Sequence, residues 1–155
     1  MEFGNFLDLA VDLELGISDL YKQIADRIGD ESLAARLRIL AKEEFNHANA
    51  IRRGKRYVEE MPDDFSGPMM SAADVKKGLE EIAAFKSLLE AAAPPFSEQL
   101  RKILDLEKRF EKIHMSALGT VKDRSLKRLF NMLAKGDQAH MLVLLGLIES
   151  LGEPS

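Results

Sequence analysis

Two stretches of the chain place a carboxylate and an imidazole three residues apart: Glu44 with His47, and Asp137 with His140. On a helix, positions i and i+3 share a face, so each pair can offer an oxygen and a nitrogen to one cation. A lone carboxylate precedes each pair by the same interval, because 107 − 14 = 137 − 44 = 140 − 47 = 93. Glu14, Glu44, Glu107 and Asp137 together carry four negative charges, the number that balances two divalent ions. Carboxylates can bridge two ions, and His47 and His140 can each complete one coordination sphere. Mixed nitrogen and oxygen ligation suits iron, manganese or zinc better than magnesium or calcium.

One Glu-x-x-His on a helix says little, since solvated helix faces carry many. Here both pairs and both lone carboxylates fall inside apolar stripes. Burying four carboxylates without partners is costly, and a pair of cations would remove that cost. Tyr21 and His114, also 93 apart, each lie two turns beyond their helix's Glu on the same face. Each is placed to donate to a ligand carboxylate, or simply to pack in the core. Glu43 is expected to face solvent, and the methionines to fill the core.

Helices are required to bring these residues together. Apolar residues recur every three to four positions, predicting helices over about 5–28, 32–59, 97–118 and 124–151. The first stripe runs Phe6, Ala10, Leu13, Ile17, Tyr21, Ala25, Ile28 and contains Glu14. The second runs Leu33, Leu37, Leu40, Glu44, His47, Ile51, Val58. The third carries Leu100, Ile103, Glu107, Phe110 and His114, and the last Phe130, Leu133, Asp137, His140 and Leu144. Gly29 and Gly119 are expected helix stops, and Asp30 and Asp123 expected caps. Residues Met61 to Met70 read as a break, Ser71 as a capping start, and 72–92 as a shorter helix without ligand residues. Ala93-Pro94-Pro95 ends it. That segment lets the second long hairpin start at the correct end of a bundle. The offset of 93 also pairs Asp30 with Asp123 and Leu40-Ala41-Lys42 with Leu133-Ala134-Lys135. Two copies of a helical hairpin thus face each other about a pseudo-two-fold axis.

Composition narrows the remaining possibilities. The 155 residues favour a single domain, 1–155, and the scarcity of Pro and of aromatics favours an all-α fold. With no cysteine, disulfides, thiolate metal sites and cysteine nucleophiles are excluded. A net charge of −4 argues against a nucleic-acid surface. The acidic N-terminus is unlike a signal peptide, and the longest apolar run, Met141 to Leu147, is far short of a membrane span. A cytoplasmic protein with no membrane partner is the expectation.

The set Glu14, Tyr21, Leu40-Ala41-Lys42-Glu43-Glu44-x-x-His47, Glu107 and Asp137-x-x-His140 resembles the rubrerythrin-type diiron domain of the ferritin-like superfamily, over essentially the whole chain. The resemblance implies a left-handed four-helix bundle with a crossover helix between its second and third long helices. It also implies a diiron centre with Glu44 and Asp137 at or near bridging positions. Glu14 and Glu107 would then be terminal or chelating, and His47 and His140 terminal. The implied activity is oxidoreduction of peroxide or dioxygen, with iron as cofactor (zinc or manganese as alternatives). Three departures stand out. The family has Glu where this chain has Asp137, whose reach is shorter by about 1.5 Å, one carbon–carbon bond. Gly136 beside it would let the backbone approach. Phe110 stands where typical rubrerythrins carry a further Glu, with Glu111 the nearest substitute. With no cysteine there is no rubredoxin iron site, so electrons must come from an external donor protein. Ferritin-like iron oxidation and storage, and a non-catalytic metal-binding bundle, are the competing functions. A homodimer is the expected assembly.

Overall fold

The apolar stripes do form helices. In a computed structural model, which describes residues 3–60 and 72–152, the chain is all-α, with five helices and no strand among those residues. They are α1 (Phe3–Ala25), α2 (Glu31–Glu60), α3 (Ala72–Ala92), α4 (Phe96–Thr120) and α5 (Arg124–Ser150). The break at 61–70, the cap at Ser71 and the tail at 153–155 lie outside the described residues.

The punctuation follows local chemistry. Gly29 adopts φ +73°, a left-handed conformation that suits glycine, between α1 and α2. Asp30 then accepts the backbone N–H of Ser32 at 3.0 Å and of Leu33 at 3.1 Å, satisfying donors the first turn of α2 leaves open. The first helix stops at Ala25 rather than Ile28, because the next turn tightens: the N–H groups of Arg27 and Ile28 both reach the Ile24 carbonyl. Gly119 does not end α4. The helix passes through it to Thr120, whose hydroxyl bonds back to the Ser116 carbonyl, and stops where Val121 turns extended. Glycine permits a stop but does not enforce one while the i→i−4 bonding can continue.

α1 and α2 pack along their length as one hairpin, and α4 and α5 as another, as their short connections require. The hairpins meet where α2 contacts α5 and α1 contacts α4, while α3 lies against α1 and α4. Val75, Ile82, Phe85 and Leu89 of α3 are buried there. Ion pairs from Lys86 to Asp19 on α1 and from Arg109 on α4 to Glu81 hold α3 at its rim. Gly54 leaves room where α2 meets α5: a Cβ there would stand 2.8 Å from a methyl group of Leu129. No helix among the described residues is long and apolar enough to cross a membrane.

Asp123 performs two tasks at the hairpin junction. Oδ1 accepts the N–H of Leu126 at 3.0 Å, capping α5, and Oδ2 accepts the hydroxyl of Tyr57 from α2 at 2.7 Å. Burial alone would raise its pKa, but the Tyr57 hydroxyl and the backbone N–H groups of Leu126 and Ser125 outweigh that and lower it. A depressed carboxyl stabilises the fold above its unfolded value, and that contribution fades as pH falls through the folded one. Replacing Asp123 with Ala should lower unfolding stability by about 1 kcal/mol at neutral pH, with the difference shrinking in acid, as urea titrations would measure.

Candidate metal centre

Each helix of the two hairpins turns one carboxylate into the core. Glu14, Glu44, Glu107 and Asp137 are all 0% exposed, and His140 only 2%. Side chains this deep would ordinarily be apolar, so their neutralisation sets the chemistry of the interior.

Five of the six residues singled out in the sequence converge into two groups. Glu14, Glu44 and His47 form the first, and Glu44, Glu107 and His140 the second; in each, the ligand atoms all lie within 4.8 Å of one another. Glu44 belongs to both. Its Oε1 lies 2.6 Å from His140 Nδ1, and its Oε2 lies 3.4 Å from His47 Nδ1. It therefore offers one oxygen to each side, as a bridging carboxylate must. The repeat is visible in space: His47 Nδ1 is 3.8 Å from Glu14 of its own hairpin, and His140 Nδ1 is 3.4 Å from Glu107 of its own. The two imidazoles stack at 5.7 Å.

Asp137 joins neither group. Its Oδ2 is held 2.6 Å from His114 Nδ1, which turns that oxygen toward the histidine. A shorter side chain and a strong neighbouring partner act together here. Glu111 joins neither group among the described residues. Phe110 is buried, its ring against α3 at Gly78.

Tyr21 and His114 each cross to the lone Glu of the opposite hairpin. The Tyr21 hydroxyl donates to Glu107 Oε1 at 2.7 Å, and His114 Nε2 lies 3.2 Å from Glu14 Oε1. These contacts correspond under the repeat. The symmetry ends at the second nitrogen of His114, which holds Asp137; a tyrosine in the same place has no second polar atom with which to hold Glu44.

Glu43 is exposed, as expected, yet it is not idle. Its Oε2 lies 2.6 Å from His140 Nε2, so both ring nitrogens of His140 face a carboxylate. A partner on Nε2 fixes the ring and leaves Nδ1 as the atom facing the cluster. Under the 93-residue offset, Glu43 corresponds to Gly136. A Cβ on Gly136 would stand 2.5 Å from Cε1 and 2.9 Å from Nε2 of His47. Gly136 thus makes room for the imidazole of the other hairpin. Residue-type patterns place Glu43 in solvent and Gly136 beside Asp137; comparing the two halves position by position exposes their relation, because a carboxylate in one half matches a glycine in the other.

Electrostatics follow from the crowding. Burial, then the charges of Glu107 and Glu14, push the Glu44 carboxyl well above its usual range. Burial also acts to raise Glu14, but contacts with Glu44, His114 and His47 outweigh it and hold Glu14 well below. For His114, burial opposes protonation, yet the Asp137 and Glu14 carboxylates raise it to about 10. His140 rises to about 9 against the same opposition, through Glu107 and Glu43. Burial lifts Asp137 to about 7, with His114 pulling down and Glu107 and Glu14 pushing up. Burial and the adjacent Glu107 charge raise Tyr21, keeping its hydroxyl a donor.

The donor set fits cations. Glu14 Oε1 and Oε2, Glu44 Oε2, His47 Nδ1, Glu107 Oε2 and Asp137 Oδ1 are buried and make no hydrogen bond among the described residues. Buried polar atoms are normally satisfied, and such a concentration in one place is what positive ions would relieve. No family model, curated protein or solved structure matches the chain.

Replacing Gly136 with Ala should leave the fold intact, since a ring at the end of a side chain can swing away. It should weaken uptake by the Glu14–Glu44–His47 group about 10- to 100-fold, as competition with a chelator would show. A cation at His140 Nδ1 would also compete with the proton that Glu107 and Glu43 favour on that imidazole. Affinity should therefore fall as pH drops below about 9, roughly tenfold per unit for each proton displaced, with proton release measurable by calorimetry in buffers of different ionisation enthalpy.

Proposed function

We propose that this chain is a rubrerythrin-type diiron protein of the ferritin-like superfamily, reducing peroxide or dioxygen with electrons from an external donor protein. The observation that carries this reading is Glu44, shared between two buried Glu/Glu/His groups. The order of hairpin, intervening helix and hairpin supports a ferritin-like four-helix bundle in which α3 serves as the crossover. Iron is the favoured metal, ahead of zinc or manganese, because imidazole and carboxylate ligation suits a metal that also cycles electrons. A cytoplasmic homodimer is part of the same proposal.

Glu14, Glu44 and His47 would hold one ion, and Glu44, Glu107 and His140 the other. A ferrous pair supplies two electrons, enough to take peroxide with two protons to two waters. The chain's own residues do the rest. Tyr21 orients Glu107 through its hydroxyl, and Glu43 fixes the ring of His140. His114 stands between Glu14 and Asp137, its two ring nitrogens 3.2 Å and 2.6 Å from their carboxylates, and those charges favour its protonated form. Phe6, Leu37, Phe110 and Phe130 belong to the apolar core that keeps bulk water from the interior.

One observation favours a second reading, a metal-binding bundle without turnover. Asp137 is engaged by His114 and stands outside both groups, so one bridging position is diverted. The two readings separate by experiment. Anaerobically purified protein should hold two ions per chain, and less than one would sink a dinuclear centre. Ala at both Glu44 and His47 should abolish uptake. The ferrous protein mixed with peroxide under stopped flow should oxidise faster than free ferrous ion; equal rates with full metal loading would leave the non-catalytic bundle.

A further inference from the structure

The outer face of α5 is unusual for a solvated helix. Its outward positions recur at alternating steps of four and three: Arg128, Met132, Lys135, Ala139, Leu142, Gly146 and Glu149. This is the narrow seam spacing by which two helices pack along each other. Leu142 is 72% exposed, the most exposed of the large apolar side chains among the described residues, with Leu145 one turn on at 37% and Met132, further along the seam, at 42% rather than in the core expected for the methionines. Ala139 and Gly146, one turn before and after Leu142, are small and exposed, and a Cβ on Gly146 would meet nothing. The seam thus presents one large knob between two gaps.

Charge selects the occupant. Lys135 and Glu149 lie seven residues before and after Leu142, about 10 Å away in each direction along the helix. Neither has an oppositely charged residue three or four positions away on α5, and no ion pair among the described residues involves either. A second copy of α5 running antiparallel about Leu142 places Lys135 beside the partner's Glu149, and Glu149 beside the partner's Lys135. A parallel copy would oppose like charges at both ends. In that register the two Leu142 side chains meet at the axis, with the small Ala139 and Gly146 of each seam on either side leaving them room, as a self-complementary two-fold interface allows.

We propose that the outer face of α5 is the interface of an antiparallel homodimer, with its two-fold axis beside Leu142. This assigns a surface to the dimer and does not depend on the metal chemistry. Because the chain has no cysteine, Leu142→Cys introduces one thiol per chain, close to its own copy across the axis.

The test uses the full chain in sedimentation and light scattering at micromolar concentration, with helicity checked by circular dichroism. The expected result is a dimer that Leu142→Asp converts to a monomer of unchanged helicity. Lys135→Glu should weaken the dimer about tenfold at low salt, and Lys135→Glu with Glu149→Lys should restore it. Leu142→Cys should form an intermolecular disulfide on mild oxidation, whereas a thiol introduced at exposed Lys77 on α3 should not. A monomeric wild-type chain would overturn the proposal. So would a dimer indifferent to Leu142→Asp, or one that the paired charge reversal fails to rescue. Metal content, measured alongside, reports separately on the proposed centre.

Discussion

Four carboxylates in one apolar interior constrain everything around them. In a low-dielectric core, like charges repel strongly and lose their hydration. The chain meets this in several ways. Imidazoles lie beside the carboxylates, a tyrosine hydroxyl donates to one, and several oxygens make no hydrogen bond among the described residues and could be satisfied by a positive ion. The surrounding core can then be almost wholly apolar, with α1 enclosed by α2, α3 and α4.

The 93-residue repeat gives the two hairpins corresponding contacts, and the side chains then break that correspondence. Tyr21 and His114 begin as equivalents, each reaching the opposite hairpin's Glu. A second nitrogen makes the difference, because it gives Asp137 a partner while Glu44 remains available to both sides. Glu43 and Gly136 break the symmetry again, one gripping His140 and the other yielding space to His47. Two chemically alike ligand groups are thereby given different surroundings: one histidine is fixed from behind, and the other fills a space left by a missing side chain.

Much of this was legible in the sequence, because helical periodicity and a constant offset are properties of position. The stripes containing Glu14, Glu44, Glu107 and Asp137 lie in the core, and the caps at Asp30 and Asp123 form as their side-chain chemistry dictates. What escaped depends on reach and rotamer across helices. Glu43 is one step around the helix from Glu44, so its face reads as solvent, yet its length carries the carboxylate to His140. Asp137 has the right type and face, but its engagement depends on a histidine of another helix. Helix ends also drifted, as at Gly119, where continued backbone bonding overrides the permission to stop.

The membership of the two ligand groups has a consequence for folding. Glu14, Glu44 and His47 all come from the α1–α2 hairpin, whereas Glu44, Glu107 and His140 draw on both hairpins. An ion held by the first group would reinforce contacts between neighbours in the chain, which a folding polypeptide can form early. An ion held by the second would act as a staple between the two halves, resisting their separation. Occupancy of that group, far more than of the first, would decide whether the molecule comes apart as one unit or as two.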